Sequence, residues 1–202
     1  MKKLLLVPIL AFLAFATAPS VTIEKKERKF AKDFLKDTRS DLVKTVKGLS
    51  EAQLKFRAAP DRWSVEDCIK HIAAAEMGLR QFLDNTLKQP ATPDKRSEIK
   101  VSDEDLIKMI EDRSRKAQAP KELRPENTPF KSADEALTSF KDNRDKLLDF
   151  VKNTQEDLRN HIAELPFGKI DGYQFVLFIS AHSNRHTQQI KEVMHDPNFP
   201  KQ

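Results

Sequence analysis

Four segments of about twenty residues repeat their apolar side chains every three or four positions, and that period confines them to helices with one buried face. The first runs from about Glu24 to Gly48, with Phe30, Phe34, Leu35, Leu42, Val46 and Leu49 on its apolar side. The second runs from about Val65 to Leu87 through Val65, Ile69, Ile72, Leu79 and Leu83. The third runs from about Ala133 to Thr154 through Leu137, Phe140, Leu147, Leu148 and Val151. The fourth runs from about Gly172 to Met194 through Phe175, Val176, Ile179, Ile190 and Val193. Only 4 Gly occur in 202 residues, and abundant Lys, Glu, Leu and Ala favour helix throughout. Four amphipathic stripes bury one another best as a four-helix bundle. The predicted class is all-α.

Several helix starts carry a capping pattern, in which a Ser oxygen takes an orphan N–H of the first turn. Ser64-Val65-Glu66-Asp67 and Ser132-Ala133-Asp134-Glu135 open two of the long helices. Ser102-Asp103-Glu104-Asp105 and Ser50-Glu51-Ala52-Gln53 open shorter ones. The connection between the second and third helices, residues 89–131, holds Pro90, Pro93, Pro120, Pro125 and Pro129. Proline at that density breaks long helices. A short helix over Asp103–Lys116 is expected on the outside of the bundle, and Ile162–Gly168 reads as a connection.

The first twenty residues are an address. Lys2 and Lys3 precede an apolar run from Leu4 to Phe15, and Ala14-Phe15-Ala16 and Ala16-Thr17-Ala18 are both A-x-A cleavage patterns. This is the layout of a signal peptide over residues 1–18, leaving one domain over 19–202. A membrane span needs roughly 20 apolar residues, so no stable anchor is expected after cleavage. The mature chain is expected in the periplasm or secreted. Its one thiol, Cys68, lies far from the cleavage sites and cannot form an internal disulfide. Three residues before His71 and on the same side of the second helix, it reads either as a small core residue or as a thiol near a metal site.

The net charge is +5, but acids and bases alternate along the chain. A nucleic-acid footprint needs Lys and Arg clustered on one face, and none is visible. Four glycines in all leave no phosphate-cradling loop, and no Ser/His/Asp set stands out.

The residues with chemistry are histidines. His182 and His186 are four apart on the fourth helix, so their rings share one face. Phe175 and Ile179 lie on that face too, so the pair points into the bundle, and Gln189 follows on the same side. Burying imidazoles without partners costs on the order of 1–3 kcal/mol, and one ion satisfies both. His71 flanks the apolar face of the second helix and supplies a third nitrogen. Three His ligands leave a coordination position open for water. Imidazole suits zinc, nickel, copper and iron alike. His161 falls in the connection and His195 at the end of the fourth helix, so both stay outside the site. Glu76, past His71, reads either as an acceptor for an imidazole N–H or base, or as a solvated flank charge. Asn184 and Arg185 read as solvated.

Trp63-Ser64-Val65-Glu66-Asp67-Cys68-Ile69-Lys70-His71-Ile72, then Phe167-Gly168, Tyr173-Gln174-Phe175 and His182-Ser183-Asn184-Arg185-His186-Thr187-Gln188-Gln189-Ile190, resemble the DinB/YfiT-like superfamily. Arg57-Ala58-Ala59-Pro60-Asp61-Arg62 resembles its lead into the Trp-Ser motif. The likeness spans roughly residues 25–195. It implies a four-helix bundle, often a homodimer, holding one divalent ion (nickel, zinc or iron) on three histidines that map onto His71, His182 and His186. It also implies thiol-dependent transferase or isomerase chemistry in some members. The leader and the proline-rich connection depart from the pattern. Low-molecular-weight thiols are cytoplasmic reagents, so export argues against thiol transfer. The expected function is a metal-dependent hydrolase or transferase acting on an unidentified small molecule. The alternatives are a non-catalytic metal-binding or structural protein, and a bundle whose histidines are only core polar groups.

Overall fold

The computed structural model describes residues 22–114 and 118–201. The signal-peptide reading of residues 1–18 lies outside them. The elements in chain order are α1 (Lys25–Val46), α2 (Glu51–Lys55), α3 (Val65–Leu87), α4 (Asp103–Glu111), α5 (Ala133–Asn153), β1 (Ile162–Leu165), β2 (Gly168–Asp171) and α6 (Gly172–Met194). The four long helices form the bundle, within two residues of the ends expected from periodicity. α3 packs against α5 and α6, and α1 packs against the same two. α1 and α3 therefore face each other across one diagonal, and α5 and α6 across the other. No helix among the described residues is long and apolar enough to cross a membrane.

The caps follow the sequence pattern. Ser64 Oγ accepts from Asp67 N–H at 3.1 Å, and Asp67 Oδ2 accepts from Ser64 N–H at 2.7 Å. Ser50 and Gln53 form the same reciprocal pair. Ser132 caps α5 through Glu135 N–H, but the Glu135 carboxylate accepts from Lys131 N–H, so the box is half made there. α1 ends at Val46, and two residues on the chain turns away at Gly48, whose φ of 76° is the left-handed conformation that glycine adopts without a Cβ penalty. At the other end of the bundle, a Cβ on Gly172 would meet the Leu158 carbonyl at 2.9 Å. Glycine is what lets α6 start that close to the preceding chain.

The connection expected over Ile162–Gly168 is instead the first part of a short antiparallel hairpin. β1 pairs with β2 from Ile162↔Asp171 to Leu165↔Gly168. Asp171, the last strand residue, caps α6 through Gln174 N–H at 2.8 Å. Arg159 grips the same carboxylate at 2.9 Å, together with Glu27 and Asp103, each at 2.6 Å. The hairpin end, α1 and α4 are thereby tied at one point.

The core is apolar in two halves. Leu35, Leu83, Leu147, Phe175 and Ile179 belong to one. Leu42, Ile69, Ile72, Phe140 and Ile190 belong to the other. On each long helix a buried polar residue lies between them: Thr38 on α1, Glu76 on α3, Arg144 on α5, and Ser180 and Ser183 on α6. Arg144 is fully buried and joins the set. Its guanidinium donates to both Glu76 oxygens at 2.6 and 2.8 Å, to Thr38 Oγ1 at 2.7 Å, to Leu35 O at 3.0 Å and to Ser183 Oγ at 2.9 Å. Glu76 is thus neither a solvated flank charge nor an imidazole acceptor: both its oxygens face Arg144. Phe30, expected on the apolar side of α1, is 48% exposed and stacks on Phe34.

The proline-rich connection holds α4, which packs on α6 as the expected outer helix. Asn184 donates to Glu111, and Arg185 donates to the carbonyls of Ile110 and Asp112. These two residues, expected in solvent, are docking points for α4.

Candidate metal centre

α3 and α6 run side by side, and the site is built on that contact. His71 lies in the second turn of α3, three residues after the buried Cys68. His182 and His186 lie one turn apart in the middle of α6. The three rings meet: centroids are 5.1 Å apart for His71–His182, 4.4 Å for His71–His186 and 4.7 Å for His182–His186. One ligand atom from each histidine lies within 4.8 Å of the other two. Among the described residues these three are the only group of histidines, cysteines or carboxylates with that convergence. His71 and His186 are buried, and His182 is half-buried.

The backs of two rings are fixed. His71 Nδ1 lies 2.7 Å from the Leu123 carbonyl. A carbonyl only accepts, so Nδ1 carries the hydrogen and Nε2 keeps its lone pair. His186 Nδ1 lies 2.9 Å from Gln189 Oε1, which gives the same tautomer. His71 Nε2 and His182 Nε2 face each other at 3.4 Å. One shared hydrogen could satisfy that pair, but it leaves the lone pair of His186 without a donor. A cation satisfies three lone pairs at once, so the donor set fits a divalent metal ion of the kind imidazole favours. Trp63, the one tryptophan of the chain, lies against the cluster with its ring 4.8 Å from His71 and 5.9 Å from His186. On the other flank Phe178 meets His182 edge-on at 6.1 Å.

Burial holds all three imidazoles neutral. It is the largest cause of the depression at each, pushing His182 down to about 3 and His186 well below its ordinary range. At His182 the neighbouring His71 and Arg185 add to it. At His71 the Leu123 carbonyl opposes the fall but does not cancel it. In the metal-free fold these rings stay unprotonated at pH values where the unfolded chain, with ordinary histidines near pH 6.5, has taken up protons. Below that pH the unfolded state binds more protons, so stability falls as acid is added. The loss continues towards the folded His182 value of about 3. The unfolding free energy of chelator-treated protein, measured in urea, is expected to drop between pH 7 and 5, by up to about 1.4 kcal/mol per pH unit for each proton. The slope is expected to shrink in His182→Gln. A flat profile over that window contradicts buried neutral rings.

The remaining histidines lie elsewhere. His161 Nδ1 bonds the Asp157 carbonyl at 2.8 Å at the hairpin end of the bundle. His195 caps the end of α6, with Nδ1 on the Lys191 carbonyl at 2.5 Å. Cys68 is fully buried in the apolar core, where burial pushes its thiol far up. Sequence reasoning did not find Leu123, whose backbone carbonyl has no side-chain signature, or Arg113, which touches Gln189 from the connection.

The sequence pattern of the DinB superfamily matches residues 35–190. The chain belongs to the DinB superfamily. Among its relatives, the uncharacterized protein YuaE of Bacillus subtilis (strain 168) is 24% identical over 158 residues, covering 78% of this chain and 93% of YuaE. Among solved structures, YfiT from Bacillus subtilis superposes with a TM-score of 0.59 at 16% identity, over 91% of this chain and 94% of YfiT. YfiT is described as a probable metal-dependent hydrolase with an unusual four-helix bundle topology. At that identity the likeness establishes the fold. In this DinB superfamily member the bundle brings together the three histidines singled out in the sequence.

Proposed function

We propose that the chain is a metal-dependent hydrolase whose one divalent ion is held by His71, His182 and His186. The observation that carries the reading is the convergence of three neutral imidazoles, two of them fixed from behind with Nε2 free to coordinate. The description of YfiT supports the same class of chemistry. A divalent ion with an open position supplies an acidified water and a Lewis acid for a carbonyl or phosphoryl oxygen. The protein's part is to keep the rings neutral, to orient them through Leu123 and Gln189, and to wall the cluster with Trp63 and Phe178. Nickel, zinc and iron all suit this donor set. The substrate is a small molecule, and the leader at residues 1–18 sends the enzyme out of the cytoplasm.

One preparation tests the whole reading. The chain is expressed from residue 1 in a bacterial host and recovered from the exported fraction. Intact mass is expected to show cleavage after Ala16 or Ala18, and native mass one divalent ion per chain. Hydrolysis of activated esters or amides is expected to stop with a chelator and to return with the ion. A chain that takes up no ion after reconstitution overturns the site. Hydrolysis indifferent both to the chelator and to His182→Ala overturns the enzyme.

A further inference from the structure

Gln189 is an amide, and an amide presents either an oxygen or an NH2 to its neighbour. The two choices have opposite consequences for His186. An oxygen at Nδ1 requires Nδ1–H and leaves Nε2 free as a ligand. An NH2 at Nδ1 requires a bare Nδ1 and puts the hydrogen on Nε2, where it blocks coordination. Something has to decide between them.

Arg113 does so. It lies just past the end of α4, in the connection between α3 and α5. Two of its nitrogens are held by Glu192: Nε donates to Oε1 at 3.1 Å and Nη2 to Oε2 at 2.7 Å. That fork fixes the plane of the guanidinium and directs Nη1 at Gln189 Oε1, 3.3 Å away. The amide oxygen therefore sits between two donors, Arg113 Nη1–H and His186 Nδ1–H. A flipped amide would set an NH2 against a guanidinium that carries only donors. Arg113 also lines a cavity of about 190 Å³ with Trp63, Arg62 and Gln189, on the side of the histidine cluster where Trp63 packs.

We propose that Arg113 is a positioning residue for the metal centre, setting the orientation of the Gln189 amide and through it the tautomer and coordinating nitrogen of His186. The inference rests on the metal reading above. It gives the connection a part in the centre at two points: the Leu123 carbonyl behind His71, and Arg113 behind the partner of His186. Glu192 belongs to the same unit, because it holds Arg113 in plane.

The test combines a binding cycle with a spectroscopic signature. Nickel binding is followed by quenching of Trp63, and zinc by competition, in wild type, Arg113→Ala, Gln189→Ala and the double variant. Outer partners of metal-bound histidines are worth roughly 10–100-fold in affinity. Arg113→Ala is expected to weaken binding about 10-fold and Gln189→Ala at least as much, with the double variant no worse than Gln189→Ala alone. Gln189→Glu, which can only accept, is expected to restore tight binding in the Arg113→Ala background. In metal-free protein, 15N shifts of His186 are expected to report Nδ1–H in wild type and a shift towards Nε2–H in Arg113→Ala. An Arg113→Ala loss that persists undiminished beside Gln189→Ala, or unchanged 15N shifts, overturns the relay while leaving the metal site standing. A wild type that binds neither ion overturns both.

Discussion

Arg144→Met is expected to destabilise the fold by about 3–5 kcal/mol, the usual cost of leaving one partner of a buried ion pair alone. The substitution strands the Glu76 carboxylate, which is 2% exposed and has both oxygens on Arg144. It also removes a donor from Thr38, Leu35 and Ser183, so all four long helices lose a shared contact. Urea unfolding reads the effect directly. Removing both charges, in Arg144→Met/Glu76→Leu, is expected to recover much of the loss, because no charge is then buried without a partner. A single variant within about 1 kcal/mol of wild type, or a double variant worse than Arg144→Met, overturns this account.

The second large effect is metal-linked stability. An ion that binds only the folded chain adds RT ln(1 + [L]/Kd), about 4 kcal/mol at a thousandfold excess over Kd. Saturating zinc or nickel is therefore expected to raise the unfolding free energy by about that much over the chelated protein. The gain is expected to vanish in His182→Ala/His186→Ala. Each protein is compared with its own chelated form, so any packing loss from the substitutions cancels. Equal stability with ion and with chelator, in wild type, would leave the three rings as core polar groups.

What could be read from the chain depended on periodicity. Helix ends came out well because Ser50, Ser64, Ser102 and Ser132 mark them with local hydrogen bonds. The histidines were legible because His182 and His186 are in phase with Phe175 and Ile179. Arg144 carried an equal signal: it follows Phe140 by four residues and precedes Leu147 by three, inside the apolar stripe of α5. Pattern reasoning treats a charge as solvent-facing, and so passed over Arg144; it singled out Glu76, seven residues after Ile69, but not the partner that buries it. The hairpin strands are four residues each, too short for alternation to stand out. Leu123 and Arg113 act from the connection, and the path of a proline-rich segment across a bundle is set by tertiary contacts that no local pattern encodes.

The ligands are unevenly spread along the chain. Two belong to a single turn of α6, whereas His71 and His182 are 111 positions apart. During refolding, one nascent helix is enough to offer a chelating pair. The third nitrogen arrives only after α3 has been brought back across the whole middle of the sequence, a closure whose entropy must be overcome before any native contact rewards it. Metal capture should therefore proceed in two stages, a loose early complex on one helix and a late tightening. The moment His71 joins marks the docking of the two halves of the chain.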